Sequence, residues 1–135
     1  WVDEEIYSTG LTNPMIASRA RDEGVTSQDN IIADCAEPKS IAELKAHGLW
    51  VTASPKGADS IISGLEILKR YRLHITRRSR GILANVRSYK WDKDRDGNMT
   101  NKPEDANNHG IDAIRYVALA KLAVRIKPRG VVRRN

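Results

Sequence analysis

Two aspartates occupy positions at which a carboxylate can do chemistry. Asp34 directly follows the apolar run 31–33, and Asp112 lies between Ile111 and Ile114 near the start of a helical pattern. Ligands in α/β sheets usually bind at the carboxyl ends of the strands. Two carboxylates that converge from a strand end and a helix would bind a hard cation, and oxygen ligands favour Mg²⁺ or Mn²⁺. Each aspartate also has an ordinary structural explanation, as a helix cap or as an acid near a helix N-terminus.

Other kinds of site find little support in the sequence. The phosphate-binding pattern GxxxxGK[ST], the nucleophile elbow GxSxG and paired His or Cys residues at zinc-ligand spacing are all absent. A small-molecule enzyme on a nucleotide-binding sheet would need a glycine-rich loop, which is also missing. Residues 92–97 (DKDRDG) imitate a calcium-binding loop, but its twelfth position is Pro103 instead of a carboxylate, so we expect a solvated turn. The single cysteine, Cys35, excludes an internal disulfide.

The distribution of charge points to a polyanionic partner. The 135 residues contain 23 Lys and Arg against 17 Asp and Glu, for a net charge of +6. Residues 69–90 hold eight basic and no acidic side chains, and residues 121–135 hold six more basic ones, again without an acid. The remainder has nine basic and seventeen acidic residues, a net charge of −8. Two basic segments on an acidic body fit nucleic acid, although basic runs are also common as solvated helix faces.

The elements that must position the two aspartates follow from the apolar pattern. Residues 31–33 and 49–52 read as buried strands, and the helix between them has Ser40 and Glu43 at capping-box spacing and Gly48 at its end. A strand, a helix and a strand within about 25 residues make a parallel βαβ unit.

The rest of the chain alternates strands and helices, which gives an α/β fold with a mixed sheet. The further predicted elements are a strand over 1–8, a helix from Pro14 to Gly24, a helix capped by Asp59 or Ser60, a strand over 73–76, a helix capped by Ser79, a loop or hairpin around Asp96-Gly97, and a last helix capped by Asn107 or Asn108.

Four blocks together resemble the nuclease domain of phage terminase large subunits, and they occur in that family's order and spacing. They are residues 32–41 (IADCAEPKSI), 56–61 (KGADSI), 89–91 (YKW) and 107–116 (NNHGIDAIRY). The resemblance spans about residues 1–124 and implies an RNase H-like fold, a mixed sheet flanked by helices. Residues 125–135 then form a basic C-terminal tail.

The resemblance implies a metal-dependent endonuclease that cuts concatemeric double-stranded DNA for packaging, with two divalent cations, Mg²⁺ or Mn²⁺. By motif match, Asp34 and Asp112 would be catalytic residues and metal ligands. Arg115 would support the site by pairing with Asp112, and His109 would orient Asp112, contact phosphate or make only a structural hydrogen bond. The candidate DNA contacts are Lys56, Arg77, Arg78 and Arg80. The implied partners are the DNA, the ATPase motor domain of the same large subunit, the small subunit and the portal, in the host cytoplasm and without a membrane.

Two departures from the family pattern leave a second hypothesis open. The chain begins at Trp1, and we expect it to be a truncated piece that lacks the first strand and the first catalytic aspartate; residues 3–5 (DEE) match the following strand and do not replace it. Members of the family often carry an acid where this sequence has Asn85. The alternative is therefore a catalytically incomplete DNA-binding or assembly module on the same fold.

Overall fold

The computed structural model describes residues 1–57, 59–103 and 108–123. Side chains of residues 101–103 are not described, and the predicted basic tail over 125–135 lies outside the described residues. The elements in chain order are α1 (Asn13–Asp22), β1 (Asn30–Ala33), α2 (Pro38–Ala46), β2 (Trp50–Ala53), α3 (Ser60–Lys69), α4 (Arg80–Ser88), β3 (Trp91–Lys93), β4 (Met99–Pro103), α5 (His109–Val117) and a π-helical segment (Ala118–Leu122).

The predicted βαβ unit is confirmed. β1 and β2 pair in parallel, with Asn30 opposite Trp50 and Ala33 opposite Ala53, so that both strands end at the same edge. α1 and α2 pack beside them around a core of apolar side chains from α1, α2, β2 and the residue before β2. Gly48 ends α2 with φ +84°, the left-handed conformation that glycine adopts without strain.

The predicted capping box of α2 is wrong. The helix begins at Pro38, two residues before Ser40, because proline suits the first helical position, where no N–H bond is needed. Glu43 therefore lies inside the helix, and its Oε2 accepts a hydrogen bond of 2.8 Å from the Nδ2 of Asn13.

Two predicted strands, over 1–8 and 73–76, reduce to one parallel bridge between Val2 and Ile75. Beyond Val2 the chain turns to α4 instead of extending a sheet. The backbone N–H of Glu4 donates to Ser79 Oγ (2.9 Å), and the Glu4 carboxylate accepts from the first N–H groups of α4. Ser79 is the N-cap residue as predicted, but the glutamate does the capping.

The hairpin predicted around Asp96-Gly97 is confirmed as β3 and β4, which pair antiparallel. The Asp94 carboxylate accepts backbone N–H bonds from Asp96 (3.0 Å) and Asn98 (2.8 Å), and these bonds lower its pKa. Gly97 has φ +83°. The aspartates that imitate a calcium loop thus include one that stabilises the turn itself.

The second half of the fold is built on α5. A second core cluster joins α3 to the π-helical segment and to Ile114 of α5, while α4 packs on the other elements through α5. α5 also packs against β1. This contact brings the helix that carries Asp112 to the strand that precedes Asp34.

Candidate functional site

Asp34 lies at the carboxyl edge of the β1–β2 pair, as predicted. Its side chain is half-buried, and its Oδ1 accepts a hydrogen bond of 3.0 Å from the backbone N–H of Ala36. The adjoining loop after β2 is tied to the same place, since the Ser54 N–H donates to the Ala33 carbonyl (2.7 Å) and the Ser54 Oγ accepts from the Cys35 N–H (3.3 Å). These hydrogen bonds join the ends of β1 and β2 beside Asp34, and we call residues 33–35 together with Ser54 the rim.

Asp112 lies in the first turn of α5 and is held by Arg115. The guanidinium donates from Nη2 (2.8 Å) and Nε (3.2 Å), both to Asp112 Oδ1, and the two side chains are only 6% and 24% exposed for arginine and aspartate. Within the described part of the chain, Oδ2 accepts no hydrogen bond. The Asp112 carboxylate thus has one oxygen held by Arg115 and one oxygen available, an arrangement that suits a metal ligand.

Gly64 of α3 makes room for that arginine. A Cβ on this glycine would lie 2.3 Å from Arg115 Cγ, 3.0 Å from its Cδ and 3.4 Å from Leu119 Cγ. Side-chain carbons do not approach that closely, so only glycine allows the arginine stem to pass between the helices. The sequence analysis had no signal for this role of Gly64.

Tyr116 connects the two aspartates. Burial raises the pKa of its phenol to about 12, with further contributions from the negative charges of Asp112 and then Asp34. The Arg115 guanidinium lies over its ring, 4.8 Å from the centroid. Both predicted carboxylates therefore influence the pKa of one phenol, in keeping with the packing of α5 against β1. The sequence put Tyr116 four residues from Asp112, but its neighbourhood to Asp34 depends on tertiary packing.

Tyr89 is a second phenol near the site. Its hydroxyl is buried, and no hydrogen-bond partner for it occurs among residues 1–57, 59–103 and 108–123. Burial raises the pKa of Tyr89, and the Asp112 carboxylate raises it further. Sequence analysis marked this residue only as part of a motif block.

The candidate DNA contacts are all on the surface but are not equivalent. Lys56 is exposed in the loop after β2, close in sequence to Ser54 at the rim. Arg77 and Arg80 are exposed at the start of α4. Arg78 is also exposed, but its guanidinium is paired with the carboxylates of Asp3 and Glu5.

Arg78 and Asp3 form a bidentate ion pair. The hydrogen bond from Arg78, followed by one from Thr76, lowers the pKa of Asp3 to about 2, and the pKa of Arg78 rises in turn. Two carboxylates already balance this guanidinium, so Arg78 has less charge to offer a phosphate than its neighbours have. The acidic residues near the N-terminus thus have structural partners.

His109 is exposed at the first position of α5 and borders a small cavity with residues 6–9. In the described ranges it makes no hydrogen bond to Asp112, so the structure does not join it to the two aspartates. Nor does any group of three or more His, Cys, Asp or Glu side chains in those ranges stand ready to hold a metal ion.

Comparison with known proteins adds a family to this geometry. A family model described as "Terminase RNAseH like domain" matches residues 1–120. The chain belongs to this terminase RNase H-like family. The predicted resemblance and the α/β, RNase H-like fold class are thereby confirmed.

Two relatives show where this terminase domain fits. It is 34% identical over 90 residues to the terminase large subunit of Bacillus phage SPP1, a match that covers 64% of this chain and 21% of that protein. It also superimposes on the crystal structure of the large terminase nuclease domain of bacteriophage SPP1, solved with bound Mn, with a TM-score of 0.72 and 27% identity. That match covers 81% of this chain and 63% of the solved domain. The terminase domain has no helix, among its described residues, that is long and apolar enough to span a membrane.

Proposed function

We propose that this terminase domain is a metal-dependent endonuclease that cuts concatemeric double-stranded DNA during phage genome packaging. The observation that carries the proposal is the packing of α5 against β1, which brings the helix that bears Asp112 to the strand that Asp34 follows. The SPP1 nuclease domain, which shares this fold, was solved with bound Mn. Carboxylates brought together at the carboxyl edge of a sheet suit the hydrolysis of a phosphodiester, because metal ions that they hold stabilise the charge that develops on its oxygens.

The donor set fits a hard divalent cation. Asp112 Oδ2 and the Asp34 carboxylate are oxygen ligands, and Mg²⁺ is commonly held by one or two carboxylates, with water and phosphate oxygens completing its shell. When bound, Mg²⁺ or Mn²⁺ supplies Lewis-acid stabilisation to the attacked phosphate and to the leaving oxygen. Two described carboxylates are enough to anchor one ion, and the two-ion site that we expect requires further ligands.

The chain's own residues prepare the two carboxylates. Arg115 fixes Oδ1 of Asp112 and so directs Oδ2 outward from the ion pair. Tyr116, with a pKa of about 12, stays protonated at neutral pH and places a neutral phenol between two negative charges. Partners of this kind, which orient ligating carboxylates, usually affect metal affinity strongly.

The DNA interface that we propose consists of Lys56 and the basic side chains of residues 69–90. All eight basic side chains of residues 69–90 are exposed, and Lys56 adds a charge in the loop after β2. We assign phosphate contacts to Lys56, Arg77 and Arg80, with a smaller part for Arg78. Contacts to phosphate carry no sequence information, which suits an enzyme that cuts varied sequences.

The wider assembly is inferred from the family. The match covers only 21% of the SPP1 large subunit, so the activity of a whole terminase is part of this proposal. We propose that the domain works in the host cytoplasm beside an ATPase motor domain of the same large subunit, with the small subunit and the portal as further partners.

A DNA-binding or assembly module without nuclease activity is the second candidate. It is favoured by one observation: the described residues include no group of three or more His, Cys, Asp or Glu side chains of the kind that a two-ion site needs. This module would bind DNA in a salt-dependent manner and cut nothing.

A nicking assay on supercoiled plasmid, with Mn²⁺ and with EDTA, decides between the two candidates. The endonuclease predicts nicking that requires Mn²⁺ and is lost in Asp34→Asn and Asp112→Asn. Glu66→Gln, which removes an exposed carboxylate from α3, is the charge-matched control and should nick normally. Nicking that survives in both aspartate variants overturns the site, and an absence of nicking in the parent chain favours the module.

The DNA interface has a control of its own. Lys56 follows the carboxyl end of β2, whereas Lys45 lies at the end of α2, which leads to the opposite edge of the strand pair. We expect Lys56→Gln to reduce the slope of log K against log salt by about 0.9, as for one lost phosphate contact. Lys45→Gln should leave the slope unchanged, and equal slopes for the two variants would contradict the assigned face.

A further inference from the structure

Asn85 is a buried polar side chain at the junction of three segments. It is 3% exposed, and its Oδ1 accepts hydrogen bonds from the backbone N–H of Gly110 (2.8 Å) and from the hydroxyl of Tyr7 (3.1 Å). Asn85 belongs to α4, Gly110 to α5 and Tyr7 to the N-terminal segment. One amide oxygen therefore ties all three together.

The contact between α4 and α5 at this point is tight. A Cβ on Gly110 would lie 2.8 Å from Asn85 Oδ1, 3.0 Å from Ile82 Cγ1 and 3.3 Å from Ile82 Cα. The backbone of α5 thus rests directly on α4 at a residue two positions before Asp112. Since an N–H in the first turn of a helix has no partner inside the helix, the bond to Asn85 also satisfies a group that would otherwise be buried unpaired.

The N-terminal segment fixes α4 from the other side. Oxygens of the Glu4 carboxylate accept the N–H groups of Gly81 (3.2 Å) and Ile82 (2.7 Å), and the Tyr7 ring covers Gly81, where a Cβ would lie 2.6 Å from the ring's Cγ. Tyr7 reaches Asn85 from this anchored position. The asparagine is therefore held on a helix whose own start is fixed.

We propose that Asn85 is a positioning residue for the nuclease site: it sets the first turn of α5 and, through that turn, the place of Asp112 opposite Asp34. This inference rests on the proposed function. Asn85 touches neither aspartate, so its effect is carried by the α5 backbone from Gly110 to Asp112. A helix turn that shifts by a fraction of an ångström moves its carboxylate by a similar distance, and supporting contacts of this kind commonly change metal affinity by about 10- to 100-fold.

The test compares two substitutions of nearly equal size. Asn85→Leu removes the acceptor from both donors, whereas Asn85→Asp keeps an oxygen that can accept both bonds. Mn²⁺ affinity is measured on the full chain by electron paramagnetic resonance of the free ion, beside the unfolding midpoint. We expect Asn85→Leu to weaken Mn²⁺ binding at least tenfold while the protein remains folded. Asn85→Asp should bind Mn²⁺ with an affinity within threefold of the parent's.

Further variants separate positioning from general loss of stability. Ile41→Val, in the core cluster of α1, α2 and β2, should lower the unfolding midpoint without moving Mn²⁺ affinity. Tyr7→Phe removes one of the two donors and is the milder variant should Asn85→Leu fail to fold; it should weaken binding by a smaller factor. Unchanged affinity in folded Asn85→Leu, or equal weakening in the Leu and Asp variants, overturns the inference alone. A parent chain whose Mn²⁺ binding does not depend on Asp112 overturns the proposed function, and the inference with it.

Discussion

Gly64→Ala is the substitution by which the structure separates the stability of the fold from the function of the site. The added methyl would lie 2.3 Å from Arg115 Cγ. That carbon is only two bonds from the backbone, so the arginine cannot avoid the methyl by moving its far end. Either its side chain leaves the present rotamer or α3 and α5 move apart.

The added methyl itself has two effects on stability, and they oppose one another. Overpacking a tight contact costs about 1–3 kcal/mol. Replacing glycine by alanine inside a helix returns about 1 kcal/mol. These two effects give a net loss of about 0 to 2 kcal/mol in the free energy of unfolding, and the loss of the largely buried ion pair between Arg115 and Asp112 adds to it where the arginine leaves its present rotamer.

The expected change at the site is larger. Arg115 fixes Oδ1 of Asp112 with two hydrogen bonds, and its displacement frees the carboxylate to rotate. We expect Mn²⁺ affinity to fall about 10- to 100-fold and nicking to fall with it. Titration of Mn²⁺ by electron paramagnetic resonance and urea unfolding of the same samples measure the two effects side by side.

Two comparisons make the result specific. Ser63→Ala, at the exposed neighbouring position of α3, changes helix propensity without touching the arginine and should not alter Mn²⁺ binding. In an Arg115→Met background, Gly64→Ala should have little further effect on affinity, because the guanidinium is already gone. Gly64→Ala that binds Mn²⁺ like the parent chain would refute the role assigned to the arginine.

Three other outcomes follow from single contacts. Tyr89→Phe should leave the unfolding midpoint unchanged or slightly raised, because its buried hydroxyl lacks a partner in the described ranges; a loss above about 1 kcal/mol would show that the hydroxyl makes a stabilising hydrogen bond. Asp3 has a folded pKa of about 2 against an ordinary 3.8, so its contribution to stability is present above about pH 4 and is lost as the pH falls toward 2. In Asp3→Asn, the urea unfolding midpoint should depend less on pH in that window. An unchanged pH dependence would argue against the pair with Arg78. Glu4→Ala should lower stability by about 1 kcal/mol through the lost cap of α4, measured by urea unfolding, and a neutral result would contradict that cap.

The first half of the fold follows from local sequence pattern. The parallel pair could be predicted because each of its elements is marked by residues close together in the sequence. These are the apolar run 31–33, the helix that Gly48 ends and the apolar strand after Gly48. The predicted start of α2 was wrong because two local signals lie close together, and the helix begins at Pro38 instead of after Ser40.

The N-terminal segment could not be predicted from its own residues. Its content of strand-forming residues is typical of a strand, yet the Glu4 carboxylate accepts hydrogen bonds from N–H groups 77 and 78 residues away. Likewise, charge alone marked Arg78 as a DNA contact, and only the structure shows the two carboxylates that hold it.

One support of the candidate site was predicted, since Arg115 lies three residues from Asp112 and pairs with it. Asp34 and Asp112 were identified from their places after a strand and on a helix, and that assignment stays a prediction. Gly64 and Asn85 act through close contacts between distant helices, which no spacing in the sequence reveals. Tyr116 was predictable only in part. The sequence shows that it lies four residues from Asp112 on one helix, whereas the influence of Asp34 on its pKa depends on tertiary packing.

The most direct test of the account is Mn²⁺ binding to the chain and to its Asp34→Asn and Asp112→Asn variants. The account predicts saturable binding in the parent chain and a loss of at least tenfold in affinity in each variant, because both carboxylates hold the same ion. Glu66→Gln, which removes the same charge elsewhere, should bind as the parent does. Binding in both aspartate variants equal to that of the parent chain would contradict the central claim that these two residues form a metal site.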